Sequence, residues 1–131
     1  MRLVSALLLA LVVFAWGQKS EKKGKLLAIE VVETSARRMT DGTIHLDGRV
    51  VNTGDRPIEG LVILFDFIAP EGRVISTKKF ATDDEVLDLG HETAFQAKLA
   101  DHVRAVRYRI GATDRVERDL RVAKPGPYVI E

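Results

Sequence analysis

The chain has 131 residues, no cysteine, and 20 Lys+Arg against 19 Asp+Glu, for a formal net charge of +1. Near-neutrality removes the electrostatic argument for nucleic acid or an anionic membrane surface as partner. The lack of thiols excludes disulfides, thiol catalysis and lipid attachment through an N-terminal cysteine.

Met1 and Arg2 form a short basic region, and an apolar run follows from Leu3 to Phe14 in which Ser5 is the one polar residue. Ala15, Trp16 and Gly17 then place small residues at the −3 and −1 positions of a cleavage before Gln18. This is the layout of a secretory signal peptide over residues 1–17. The rival reading is an uncleaved anchor, but a spanning helix needs about 20 apolar residues and this run stops short. The pattern therefore predicts a secreted or periplasmic protein that meets the membrane only transiently, through its leader. Removing Arg2 with the leader leaves 19 basic residues against 19 acidic ones. A small exported domain without disulfides points to a bacterial envelope or secreted protein. Residues 18–25 (QKSEKKGK) are charged and aperiodic, which predicts a flexible linker, and residues 26–131 remain as one folded domain.

Beyond the linker, apolar residues recur at every second position and no segment sustains a helical period. A first strand is predicted over Lys25 to Thr34, with Leu27, Ile29 and Val31 on one face. A second, Thr43 to Asn52, places Ile44, Leu46, Gly48 and Val50 inward. Asn52 to Pro57 is dense in turn residues. The third strand, Glu59 to Ala69, is the most apolar. Pro70-Glu71-Gly72 turns the chain into a fourth, Arg73 to Phe80. An acidic segment, Thr82 to Asp88, leads to a fifth strand, Glu92 to Leu99, burying Phe95, Ala97 and Leu99. A sixth, Val103 to Gly111, points Val106, Tyr108 and Ile110 inward. A seventh runs from Arg115 to Ala123, and a Pro-Gly-Pro break precedes the tail Tyr128-Val129-Ile130. About seven short antiparallel strands with regular turn signals predict an all-β sandwich of the immunoglobulin or fibronectin kind. Parallel α/β architecture would need crossover helices that the sequence does not offer.

The stretch Leu46 to Pro57 resembles the "G-x-V-x-N-x-G" strand and turn of bacterial FxLYD-type domains, with Gly48, Val50, Asn52 and Gly54 at the matching positions. Phe65-Asp66-Phe67-Ile68-Ala69 stands where that family has F-x-L-Y-D, keeping the first Phe and replacing Leu, Tyr and the closing Asp. Leu89-Gly90-His91-Glu92 with Phe95 is similar to the family's "L-x-P-G-E-x-x-x-F", without the Pro. The resemblance spans roughly residues 44 to 100. It implies an immunoglobulin-like sandwich in a cell-envelope protein, with no catalytic residue and no cofactor to carry over.

The residues themselves give little to an enzyme. The chain lacks H-E-x-x-H, G-x-S-x-G and a Gly-rich phosphate loop. Ser20, Ser35 and Ser76 are not on the sharp strand-to-helix turn a nucleophile needs. His45 lies mid-strand, and His91 and His102 fall near opposite ends of one strand, too far apart to share a metal at about 3.3 Å per residue. Asp83, Asp84, Glu85 and Asp88 are the best calcium candidates, yet they lack the alternating carboxylate order of a calcium loop and read as a solvated acidic turn, with Val86 and Leu87 turned inward. No metal is assigned.

Two surface features remain. Arg107, Arg109, Arg115 and Arg121 cluster late in the chain. Arg107 and Arg109, on one outer face, are expected to pair across the sheet with Glu117 and Asp119; alternatively the four form a polyanion- or glycan-binding patch. The third strand is apolar on both faces: Leu61, Ile63, Phe65 and Phe67 suit the core, while Val62, Leu64, Asp66 and Ile68 make a second stripe that should not face water. Either the tail Tyr128 to Ile130 folds over it, or a protein partner or a second copy does. The sequence thus predicts a non-enzymatic exported interaction or structural module of the bacterial envelope, contacting protein through that stripe.

Overall fold

The computed structural model describes residues 27–101 and 104–131, so the expected leader and linker, and His102, lie outside the described residues. Among the described residues the chain is all-β: β1 (Ala28–Arg38), β2 (Thr43–Asn52), β3 (Ile58–Glu59), β4 (Val62–Ile68), β5 (Val74–Ala81), β6 (Val86–Leu87), β7 (Glu92–Ala100), β8 (Arg107–Thr113), β9 (Arg121–Ala123) and β10 (Tyr128–Val129). They form a sandwich of two four-stranded sheets, ordered β7-β2-β1-β9 and β10-β8-β4-β5, with the short β3-β6 ladder as a third piece. All ladders are antiparallel except β1 with β9.

The two-residue rhythm sorts side chains as the sequence predicts. Ile44, Leu46, Gly48 and Val50 of β2 are buried, and Leu61, Ile63, Phe65 and Phe67 fill the centre from the other sheet. Phe65 is the hub. Its ring centroid lies 5.7 Å from Phe80, 5.5 Å from Phe95 and 6.3 Å from Tyr108, so one aromatic cluster joins β4, β5 and β8 to β7 across the interface. Such pairs contribute about 0.5–1.5 kcal/mol each beyond the area they bury. Phe95 reaches the hub by lying across Gly48, its cross-strand partner. A Cβ at Gly48 would stand 2.5 Å from the Phe95 ring and 2.4 Å from the Glu33 carbonyl oxygen, which only glycine avoids.

Asn52 closes the same strand. Its buried amide donates to the carbonyls of Arg56 (3.0 Å) and Leu87 (2.9 Å), while its Oδ1 accepts from the Gly54 amide (2.8 Å). Gly48, Asn52 and Gly54 are thereby accounted for by packing and turn chemistry. The motif they form is a folding motif.

Several expectations need correction, and the sixth strand is one: it spans Arg107–Thr113 rather than Val103 to Gly111. The first strand starts and ends further along, at Ala28–Arg38. The long third strand is cut at Gly60, whose φ of +63° takes it out of the extended region; its amide bonds instead to the Glu85 carbonyl. That contact draws the acidic segment into the β3-β6 ladder and leaves Val86 outward, 48% exposed, with only Leu87 buried. The seventh strand shrinks to Arg121–Ala123, because the preceding residues form a turn held by a buried carboxylate at Asp114.

A further correction concerns the tail. It does not fold over the outer face of β4 but runs along the side of the sandwich. Leu120 donates to Ala112, Ile110 to Pro125 and Ile130 to Val106, so the segment follows β8. Arg121 donates to Leu27 and Glu131 to Ala36, while Arg38 donates to Glu131, so it also follows β1. One terminal segment thus joins the two sheets along one side, leaving β7 and β5 as the free edges on the other.

Replacing Gly48 by alanine is expected to cost about 2–3 kcal/mol through overpacking against Phe95. Gly111→Ala is the control, since a Cβ there meets only Leu64 at an ordinary 3.7 Å; its stability should stay within about 1 kcal/mol of wild type. Urea unfolding of both variants measures the difference.

Candidate interaction surface

The outer face of the second sheet can be written as rows of cross-strand neighbours. Val129, Arg107, Ile68 and Val74 form the first; Arg109, Asp66 and Thr77 the second; Gly111, Leu64 and Lys79 the third; Thr113, Val62 and Ala81 the last. Val62 and Leu64 are half-buried at its centre, and Gly111 leaves the flank of Leu64 open. Val129 (64% exposed) and Val74 (44%) are exposed apolar residues at the far end of the face, separated from Leu64 by the polar row of Arg109, Asp66 and Thr77. Lys79, Arg107 and Arg109 share this face. Asp66 is the one carboxylate in these rows, and it accepts a 2.6 Å bond from the Thr77 hydroxyl.

Of the predicted stripe, Val62, Leu64 and Asp66 therefore share this face with solvent access, and Ile68 does not. Ile68 is 3% exposed, closed in between β8 and the shifted register of β5.

The four arginines do not gather. Arg107 and Arg109 belong to these rows, opposite Ile68 and Asp66. Arg115 sits at one end of the molecule, 3.2 Å from Glu59. Arg121 is on β9 in the other sheet. Nor do Glu117 and Asp119 pair with Arg107 and Arg109: Glu117 occupies the turn at φ 63°, and Asp119 bridges Thr113 through the backbone. The alternation that put Arg107 and Arg109 on one face was readable from sequence. The dispersal of Arg115 and Arg121 follows from the Asp114 turn, which no strand pattern announces.

That turn also borders a cleft of about 360 Å³, whose lining includes Arg56, Glu59, Asp114, Arg115 and Arg118. Two of its three guanidiniums are committed, Arg115 to Glu59 and Arg118 to Asp114 at 2.8 Å. Asp114 is 4% exposed, and its Oδ1 accepts the amides of Val116 (3.1 Å) and Arg118 (2.9 Å). Burial pushes its pKa up, but the Arg118 amide and guanidinium, with the Val116 amide, outweigh burial and hold it below the usual carboxylate value.

The Ser35 hydroxyl donates directly to Asp47 (2.8 Å) on the outer face of the first sheet, rather than to a histidine. His45, two residues from Asp47, pairs across strands with Arg37 and Lys98. Among the described residues no three His, Asp or Glu side chains converge so as to hold a metal ion.

No family model matches the chain, and no curated protein matches it. Solved structures with a similar course of chain include IrmA from Escherichia coli, 14% identical, covering 82% of this chain and 98% of that one, with a TM-score of 0.49. A GH20 exo-β-N-acetylglucosaminidase from Vibrio harveyi is also similar: an inactive variant is 12% identical with a TM-score of 0.43, and the complex with N-acetylglucosamine 11% identical with 0.40. This chain spans 19% of the length of the glucosaminidase. At such identities neither likeness carries a function across.

The Asp114 contacts make an acid-sensitive contribution. A depressed native pKa stabilises the fold above the ordinary value of 3.8 and loses that contribution as the pH falls through the native value. Asp114→Asn should cost about 1–2 kcal/mol at neutral pH. The gap from wild type should narrow below about pH 4 in urea unfolding measured across a pH series.

Proposed function

We propose that this chain is a non-enzymatic, exported interaction module of the bacterial envelope, and that it contacts a protein partner through the outer face of the second sheet. The carrying observation is that this face has an apolar centre at Val62 and Leu64 that the terminal segment leaves uncovered. Apolar side chains left partly open to solvent at the middle of a sheet face support a contact role. The leader pattern of residues 1–17 supports export, and a small exported domain without cysteine supports a bacterial source.

Charge indicates what the partner offers. Lys79, Arg107 and Arg109 stand against the single carboxylate of Asp66, which suits a partner with an apolar centre and an acidic rim. A polyanion or glycan reading would rest on Arg107 and Arg109, of the four arginines, with Lys79 beside them. It lacks the convergent cations that neutralising a polymer requires, and the face carries no aromatic ring for a sugar to stack on.

A photo-cross-linking residue placed at position 64 in the exporting cell tests the reading, with position 47 on the opposite sheet as control. Adducts of defined mass are expected from position 64 only, lost when Val62→Asp is added and persisting at high salt. Equal labelling from both positions would contradict the assignment, and adducts abolished by moderate salt would favour the polyanion reading.

A further inference from the structure

The two edge strands that no strand of the described residues covers, β5 and β7, are unlike. On β5, Lys78 occupies an inward-facing register position opposite Phe65 and yet is exposed, Lys79 follows it, and the ladder to β4 shifts register at Phe67/Ile68. Inward charges, lysines and irregular register are devices that keep an edge from pairing with another chain. β7 carries one lysine, Lys98, but no inward-facing charge and no irregular register. It pairs with β2 without a register shift from Thr43↔Ala100 to Val51↔Glu92, it contains no proline, and its inner positions are Thr93, Phe95, Ala97 and Leu99.

The ladder fixes which backbone groups are free. Asn52 donates to the His91 carbonyl and Asp101 donates to the Gly42 carbonyl, so the odd-numbered residues of β7 bond inward to β2. The amides and carbonyls of Glu92, Ala94, Gln96, Lys98 and Ala100 therefore point out from the edge. A cleft lined by Ala94, Phe95 and Gln96 on one side and Ala81 and Asp83 on the other opens beside the middle of the strand.

We propose that this edge is a homodimerisation site, at which β7 of a second copy adds antiparallel to extend both first sheets into one continuous sheet. Charge selects the occupant and the register. With the two-fold axis at Phe95, Glu92 faces Lys98 of the second copy and Lys98 faces its Glu92, while Ala94 faces Gln96. All of these are edge-facing residues, so each pair can exchange backbone hydrogen bonds. Directly opposed side chains in such pairs stand about 5.5 Å apart at Cα, within reach of an ion pair. Sliding the register to place Gln96 opposite Gln96 would leave Lys98 facing Ala94 and forfeit both charge pairs. The site lies on the opposite sheet from the face assigned above, and the two can operate together.

Sedimentation equilibrium of the exported chain over about 1–100 µM is expected to show a reversible dimer. Lys98→Glu should weaken it by at least about tenfold, and adding Glu92→Lys should restore it, since the double swap rebuilds both pairs with reversed sign. Gln96→Pro, which removes one outward amide from an edge strand that tolerates proline, should give a folded monomer by circular dichroism. A chain that stays monomeric throughout this range would overturn the proposal, as would a dimer indifferent to both the charge reversal and Gln96→Pro. Leu64→Asp on the other sheet should leave the dimer unchanged. Loss of dimer in that variant alone would assign self-association to the second sheet instead.

Discussion

Glu131 donates its amide to the Ala36 carbonyl (2.9 Å), and Arg38 donates back to Glu131 (2.7 Å); further up the same side Arg121 makes the equivalent bond to Leu27 (3.2 Å). Between those points the chain leans the other way, onto β8, through Pro125 and Ile130. A stack of two sheets has exposed backbone along both of its sides, and unpaired backbone groups must find partners or water. Here one terminal segment satisfies both sheets on one side. The rest of the molecule follows from that arrangement: a closed side, an open side, and an outer face on the second sheet that, among the described residues, the terminal segment leaves uncovered.

The interior holds the sheets in register with each other. Phe65 touches rings from three other strands, and Phe95, the ring from the facing sheet, gets there only because Gly48 offers no side chain. Tyr108 links the same cluster to the closed side, through its ring against Tyr128 (5.6 Å) and its hydroxyl against Thr34 (2.7 Å). Burial raises the Tyr108 pKa, so the phenol stays protonated and available for that bond. The terminal segment is therefore anchored to the core by side chains as well as by backbone.

Much of this was legible from alternation alone. β2 falls where the sequence puts it, Thr43–Asn52, and the inward sets of β4 and β7 were readable because a pleated strand exposes every second residue to one face. What alternation misses is where the backbone departs from the pleat. Gly60 divides one apolar run into two strands belonging to different ladders, and Asp114 gathers the amides of the following turn where β-branched residues alone would suggest a strand. The candidate surface was half legible for the same reason. Val62, Leu64, Asp66, Arg107 and Arg109 share a face by parity, whereas the burial of Ile68 and the scattering of Arg115 and Arg121 depend on long-range pairing that periodicity does not encode.

Amide hydrogen exchange on the folded chain, resolved by residue, tests the closed and open sides most directly. The amides of Leu120, Arg121, Ile130 and Glu131 should be protected to a degree comparable with Ile110 in β8. In dilute solution those of Ala94, Gln96 and Lys98 should exchange far faster than their neighbours Phe95 and Ala97. Rapid exchange at Ile130 and Glu131, or uniform protection along β7 in dilute solution, would contradict the account.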